Sequence, residues 1–328
     1  MPPSTLDALP RHIADKARNH PVVKGMRRRP RVFFDTRDFT SIDYGDIIAV
    51  DNRYFLVIAY TREGRFGVDE QPKQWVPKTV DLETDVVHIV KLVFHETFTV
   101  TFGSFSILCY RSPEKEARVL ELVQGHDRFM QGYGVEDAAG NLVRILDVIR
   151  GRRLDKHIHD LTSPHEEYFF TSLPPLLGEF LECVRAIAHV HAHGFRHGDI
   201  RRDHIYVEYD TGHFRWIDFD YDFHLPERPF ALDLYELGNI LLYLLGMGHF
   251  HETEVLDHPR MGPKVMQGIG PEDYSILSRN RIVNLRKLFP YIPKRLNDIC
   301  MHFAQGTPVF YDSVDEFASD LDAYLRSV

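Results

Sequence analysis

An α+β fold in two lobes, a small β-rich lobe followed by a larger helical one, is what this 328-residue sequence predicts. Three observations carry that expectation. Strand-like runs dominate from about residue 31 to 149, helical periodicity takes over after Gly151, and 44% apolar residues suffice for a substantial core.

Residues 1–31 come first. They hold eight Lys/Arg (Arg11, Lys16, Arg18, Lys24, Arg27, Arg28, Arg29, Arg31) against Asp7 and Asp15. That is +6, which leaves −15 for the remainder of a chain whose formal charge is −9. The segment reads as a basic, flexible, solvated leader. The acidic body argues against nucleic acid as its ligand.

Strands follow at 46–50, 54–60, 86–94, 97–110 and 142–149, rich in β-branched and aromatic residues and separated by Gly, Asp and Asn turns. One helix interrupts them near 113–124, with Ala117, Leu120 and Val123 at helical spacing. Beyond Gly151, Leu176, Leu177, Phe180, Leu181, Val184, Ile187 and Ala188 form an apolar helical stripe. Leu232, Leu237, Ile240, Leu241 and Leu244 form another. The last helix opens with a capping box from Ser313 to Glu316 and runs on through Phe317, Leu321 and Leu325. The expected division is a leader at 1–31 and one domain at 32–328, with lobes at 32–149 and 150–328.

Cys109, Cys183 and Cys300 are scattered, with no CxxC, so a reducing, cytoplasmic setting is expected. The most apolar stretch, 240–246, is far too short to span a membrane. The pairs His157/His159 and His249/His251 read as ordinary histidines rather than metal ligands.

The informative segment is HAHGFRHGDIRRDHIYV at 191–207, followed by FRWIDFD at 214–220. It reads as helix, loop with Asp199, strand, turn, and a strand ending in Asp218. Phosphoryl transfer asks for one carboxylate to orient a hydroxyl and another to hold a metal on the phosphates, and the two aspartates stand where both are possible.

On these residues the chain resembles the eukaryotic-like protein kinase family, with its bacterial serine/threonine kinases, as a divergent or pseudokinase-like member over about residues 54–326. The resemblance implies a kinase-like, two-lobed fold and an ATP-dependent phosphotransferase of serine/threonine type using Mg²⁺ or Mn²⁺. Asp199 would be catalytic, with Arg201 offsetting phosphate charge, and Asp218 would hold metal with His204. Upstream, Gly64, Phe66 and Gly67 resemble half of a glycine-rich loop. Lys91, ending VVHIVK at 86–91, resembles the lysine on the ATP phosphates, and Glu116 its glutamate partner. Asp147 and Ile149 would edge the adenine. Asp233 resembles the aspartate that holds the catalytic loop. Leu120, His197 and Phe219 stand at the positions of a hydrophobic spine.

The departures are specific. His204 replaces asparagine, and an imidazole favours softer ions than Mg²⁺. Gly198 replaces the arginine that reads activation-segment phosphorylation, and His-Gly-Asp is also the form found in small-molecule kinases. Asp220 replaces glycine. Only 14 residues separate Asp218 from Asp233, and no Ala-Pro-Glu follows. Phe310 stands where an arginine would pair with that missing glutamate. A rival register places the glycine loop at 102–106 and Arg111 at the lysine, and Lys91 is favoured over it. Two other functions stay open: a pseudokinase acting as a nucleotide-binding or scaffold module, and a small-molecule kinase. The hydroxyl acceptor, protein or small molecule, is not set by the sequence.

Overall fold

The computed structural model describes residues 1–65, 68–102, 105–258 and 261–327. In chain order its elements are α1 (Arg11–Asn19), α2 (Pro21–Lys24), β1 (Val32–Phe33), β2 (Ile47–Val50), β3 (Arg53–Arg65), β4 (Val68–Asp81), β5 (Val87–Lys91), β6 (Thr97–Phe102), β7 (Phe105–Arg111), α3 (Pro113–Leu122), β8 (Gly132–Glu136) and β9 (Leu142–Asp147). Then follow β10 (Gly151–Arg153), α4 (Leu154–His159), α5 (His165–Thr171), α6 (Leu173–Ala192), β11 (Ile205–Glu208), β12 (Phe214–Trp216), β13 (Tyr221–His224), α7 (Ala231–Gly246), α8 (Glu252–Asp257), α9 (Gly262–Met266), α10 (Lys294–Met301) and α11 (Val314–Leu325). The fold is α+β, with strands concentrated early and helices late.

The chain divides into two compact units. The first comprises Met1–Glu96, Arg111–His126 and Met130–Ile149; the second comprises Thr97–Tyr110, Asp127–Phe129 and Arg150–Val328. Two boundaries therefore differ from the sequence expectation. The stretch read as one strand at 97–110 is a hairpin, β6–β7, and belongs to the second unit. Residues 1–31 belong to the first.

The first unit is built on a sheet of order β1-β2-β3-β4-β5-β9-β8. All four residues of β2 are buried, so both faces of the sheet are covered there. Ile48 and Val50 join Phe55, Val57, Val90, Val143 and Ile145 in one core cluster. Ile47 and Ala49 join Leu56 in another, whose remaining members include Leu6, Leu9, Ile13, Ala14 and Ala17.

The expected mobile leader is thus corrected: α1 lays its apolar side on the sheet. Two of the arginines that follow α1 are engaged as well. The fully buried Asp46 accepts from Arg28 Nη1 at 2.5 Å, Arg31 Nη2 at 2.7 Å and the Arg31 backbone N–H at 3.0 Å. A buried carboxylate needs such partners, and the basic run supplies them.

In the second unit α6 and α7 carry the apolar stripes, burying Phe180, Val184 and Ile187 from one and Leu237, Leu241 and Leu244 from the other. Ser313 caps α11, its hydroxyl accepting from the Glu316 N–H at 3.2 Å. Phe310 packs edge-to-face on Phe303 at 5.5 Å. Two three-stranded sheets complete the unit, β10-β11-β12 and β13-β7-β6.

Candidate functional site

In the first unit, Lys91 ends β5, flanked in the sheet by β4 and β9. Glu116 lies in the first turn of α3, a helix begun by Ser112, whose hydroxyl accepts from the Lys115 N–H at 3.1 Å, and by Pro113. A carboxylate in a first turn is favoured by the helix dipole. Lys91 Nζ donates to Glu116 Oε1 at 2.7 Å, and both side chains are buried.

The other carboxylate oxygen accepts from Arg144 Nε at 3.2 Å. Arg144 is the cross-strand neighbour of Lys91 in the β5–β9 register. Two like charges at that spacing repel, and Glu116 resolves the conflict by bonding both. The remaining guanidinium donors reach Leu142 O at 3.2 Å and Leu92 O at 3.3 Å. Sequence reasoning passed over Arg144, although a lone arginine inside the apolar run LVRIL was the available signal.

Arg111, the rival to Lys91, is engaged elsewhere. Its Nε bonds Glu96 Oε2 at 3.0 Å, and its guanidinium lies 5.7 Å from the Trp75 ring centre and 5.6 Å from that of Phe94. Gly64 lies on β3, whereas Phe66 and Gly67 fall outside the described residues. Asp147 ends β9 exposed, 3.5 Å from His88 Nδ1, and Ile149 is half-buried just beyond. Leu120, the spine candidate of this unit, is buried on α3.

In the second unit the loop after α6 is organised by Asp233, buried in the first turn of α7. Its Oδ2 accepts from the His197 N–H at 2.6 Å and from His191 Nε2 at 2.9 Å, while Oδ1 accepts from the Gly198 N–H at 2.9 Å. Burial opposes the charge of Asp233, but these donors overcome it and hold its pKa below the usual carboxylate value. Gly198 has φ +86°, a left-handed conformation that a side chain disfavours, so the backbone itself accounts for glycine where an arginine was the family expectation.

This anchoring delivers Asp199. The Asp199 N–H bonds His197 Nδ1 at 3.3 Å, and the His197 ring lies 4.5 Å from Phe219, which in turn lies 5.5 Å from Phe129. Asp218 has φ +70°, a strained conformation for a residue other than glycine and one found disproportionately at functional sites. His204 joins the two aspartates. Its Nδ1 donates to the Asp199 carbonyl at 2.9 Å, and its Nε2 lies 3.7 Å from Asp218 Oδ2.

Burial pushes the Asp199 carboxyl above its usual range; His204 and Arg201 pull it back, and Asp218 and Asp220 push it further up. Arg201 stands exposed, forked onto Asp203 at 3.0 and 2.5 Å and 4.0 Å from Asp199 Oδ2. Burial resists the ionisation of Asp203, yet the Arg201 fork with His204 holds its pKa at about 2.

With Nδ1 committed to the Asp199 carbonyl, His204 turns Nε2 toward Asp218. An imidazole nitrogen beside a carboxylate suits Mg²⁺ less well than an all-oxygen pair would. Among the described residues no group of three or more His, Cys, Asp or Glu side chains could hold a metal by itself. None of the described helices is long and apolar enough to cross a membrane, and the three cysteines are buried free thiols.

No family model matches the chain. The curated proteins offer no match either. Among solved structures, it is similar to the kinase domain of PknI from Mycobacterium tuberculosis, with a TM-score of 0.45 and 15% sequence identity over 82% of this chain and 95% of that one.

Proposed function

We propose that the chain is an ATP-dependent phosphotransferase of the protein kinase type, acting on a hydroxyl acceptor. The observation that carries this reading is the convergence of Asp199 and Asp218 on His204, in a loop whose backbone is fixed by the buried Asp233. Asp199 would orient the acceptor hydroxyl and take its proton, and a carboxyl raised by burial is the stronger base for that task. Arg201 would offset charge on the phosphate. Lys91, held by Glu116, would position the nucleotide phosphates; Gly64, Phe66 and Gly67 would cover them, and Asp147 and Ile149 would edge the adenine. Asp218 with His204 would hold Mn²⁺ or Mg²⁺, which neutralises phosphate charge when bound. A serine/threonine-type acceptor and a cytoplasmic location belong to the same reading.

The test is thermal unfolding with ATP and Mn²⁺, Mg²⁺ or EDTA. A ligand at a hundred times its dissociation constant stabilises by about 2.7 kcal/mol. A metal-dependent rise in Tm that disappears in Asp218→Asn supports the proposal, and no rise with any metal rejects it.

A second reading, a nucleotide-binding scaffold without transfer, draws on Glu116 being shared between Lys91 and Arg144 and on the histidine at a metal position. Phosphate transfer abolished by Asp199→Asn rules the scaffold out. Transfer to small hydroxyl compounds but never to protein assigns the acceptor to the small-molecule class.

A further inference from the structure

The residues after Asp218 are held by a part of the chain far away in sequence. The hairpin β6–β7 arises between the Lys91 strand and the Glu116 helix, and β13 joins it to make the sheet β13-β7-β6. Ile107 and Cys109 of β7 and Phe223 of β13 form one buried cluster, with Val100, Leu225 and Leu232 packed against it. Phe98 of β6 meets Tyr221 edge-to-face at 5.7 Å.

A polar knot lies beside this cluster. Arg196, the residue before His197, places Nε 2.6 Å from Asp222 Oδ1 and donates from Nη1 to Pro229 O at 3.1 Å. Its guanidinium lies 4.6 Å from the centre of the Phe223 ring. The Tyr110 hydroxyl donates to Asp222 Oδ2 at 3.4 Å. Asp222 is only 16% exposed and Arg196 22%, so the pair is shielded from solvent far better than a surface bridge. One arginine thereby ties the catalytic loop to two points of the segment between Asp218 and Asp233.

We propose that Asp222, gripped by Arg196 and Tyr110, is a permanent charge latch that keeps the segment from Asp218 to Asp233 ordered without covalent modification. Segments ordered by phosphorylation gain a negative group opposite an arginine, and here the chain carries that group itself. Asp222, Arg196 and Tyr110 are then positioning residues for Asp218. This last step rests on the phosphotransferase reading, whereas the latch does not.

Two measurements on the phosphatase-treated full chain separate the claims. In hydrogen exchange, amides of residues 221–224 are expected to be protected in the wild type, and Asp222→Asn should lose about tenfold in protection, the size of one charge-assisted bond. Tyr110→Phe, which keeps the ring and fold, should lose less. Wild-type amides that exchange freely, or an Asp222→Asn variant protected like the wild type, overturn the latch. In nucleotide binding, Asp222→Asn should weaken ATP with Mn²⁺ about tenfold, leave ATP with EDTA unchanged, and be partly rescued by Asp222→Glu. Equal weakening in EDTA overturns the positioning role. A wild type that binds no ATP with any metal defeats the phosphotransferase reading and the positioning role with it, while the exchange result still decides the latch.

Discussion

Replacing Ile13 with alanine asks whether the basic N-terminal segment is structure or tether. Ile13 is 0% exposed on α1 and packs in the cluster that holds Leu6, Leu9, Val32, Ile47 and Leu56. Truncating a buried isoleucine costs about 2–5 kcal/mol. Two effects push the value toward the low end: alanine is the better helix former by a few tenths of a kcal/mol, and a nine-residue helix can undock rather than preserve a cavity. The expected loss is therefore about 2–3 kcal/mol. The control is His12→Ala on the same helix, where the side chain is 68% exposed and the change should stay within about 0.5 kcal/mol. Urea unfolding followed by hydrogen exchange of β2 and β3 amides reads the first unit separately, since a chain of two units need not unfold in one step. If Ile13→Ala and His12→Ala shift the midpoint equally, α1 contributes nothing and the docked segment described above is wrong.

Other outcomes follow from the same geometry. Lys91→Met leaves Glu116 with Arg144 and Arg144→Met leaves it with Lys91, whereas the double variant buries an unpaired carboxylate; unfolding measurements should show non-additivity of about 1–3 kcal/mol. Arg111→Gln should leave nucleotide binding intact while Lys91→Met abolishes it, and equal losses in an ATP titration would restore the rival register. Because the folded-state pKa of Asp233 is depressed, its contribution is fully present above the unfolded value of about 4 and is lost as pH falls through the lower folded value. Exchange protection of residues 197–199 should therefore fall on acidification in that window, and Asp233→Asn should abolish this pH dependence while lowering protection at pH 6.

Much of the second unit was legible because periodicity and motif agree there. The stripes of α6 and α7 and the Asp199 to Asp218 run each have a local signature, and the structure brings His204 and both aspartates together. The first unit was harder to read. The unbroken apolar run at 47–50 reads as a strand, but its second meaning is not local: a strand buried on both faces needs a cover, and α1 is that cover. The positive charge of residues 1–31 suggested solvation, yet Arg28 and Arg31 are spent on a buried carboxylate whose need cannot be seen from composition. The run at 97–110 looked like one strand because apolar alternation does not reveal a turn, and no local feature announces that its partner is β13, more than a hundred residues later. Pairing of that range is set by tertiary packing, not by propensity.

The hairpin also has a tied root. The Arg111 N–H bonds Glu96 O at 2.9 Å, their side chains pair at 3.0 Å, and Thr97 stands opposite Tyr110. The fourteen residues beyond this closure leave and return through one doorway. Their removal requires only a bridge between two positions already held side by side, which makes the hairpin a cassette: a block that can be gained, lost or exchanged by splicing without re-routing the sheet from which it springs. A chain lacking it would keep Lys91 and Glu116 on their elements and lose the partner of β13, with Tyr110 and the cluster around Phe223.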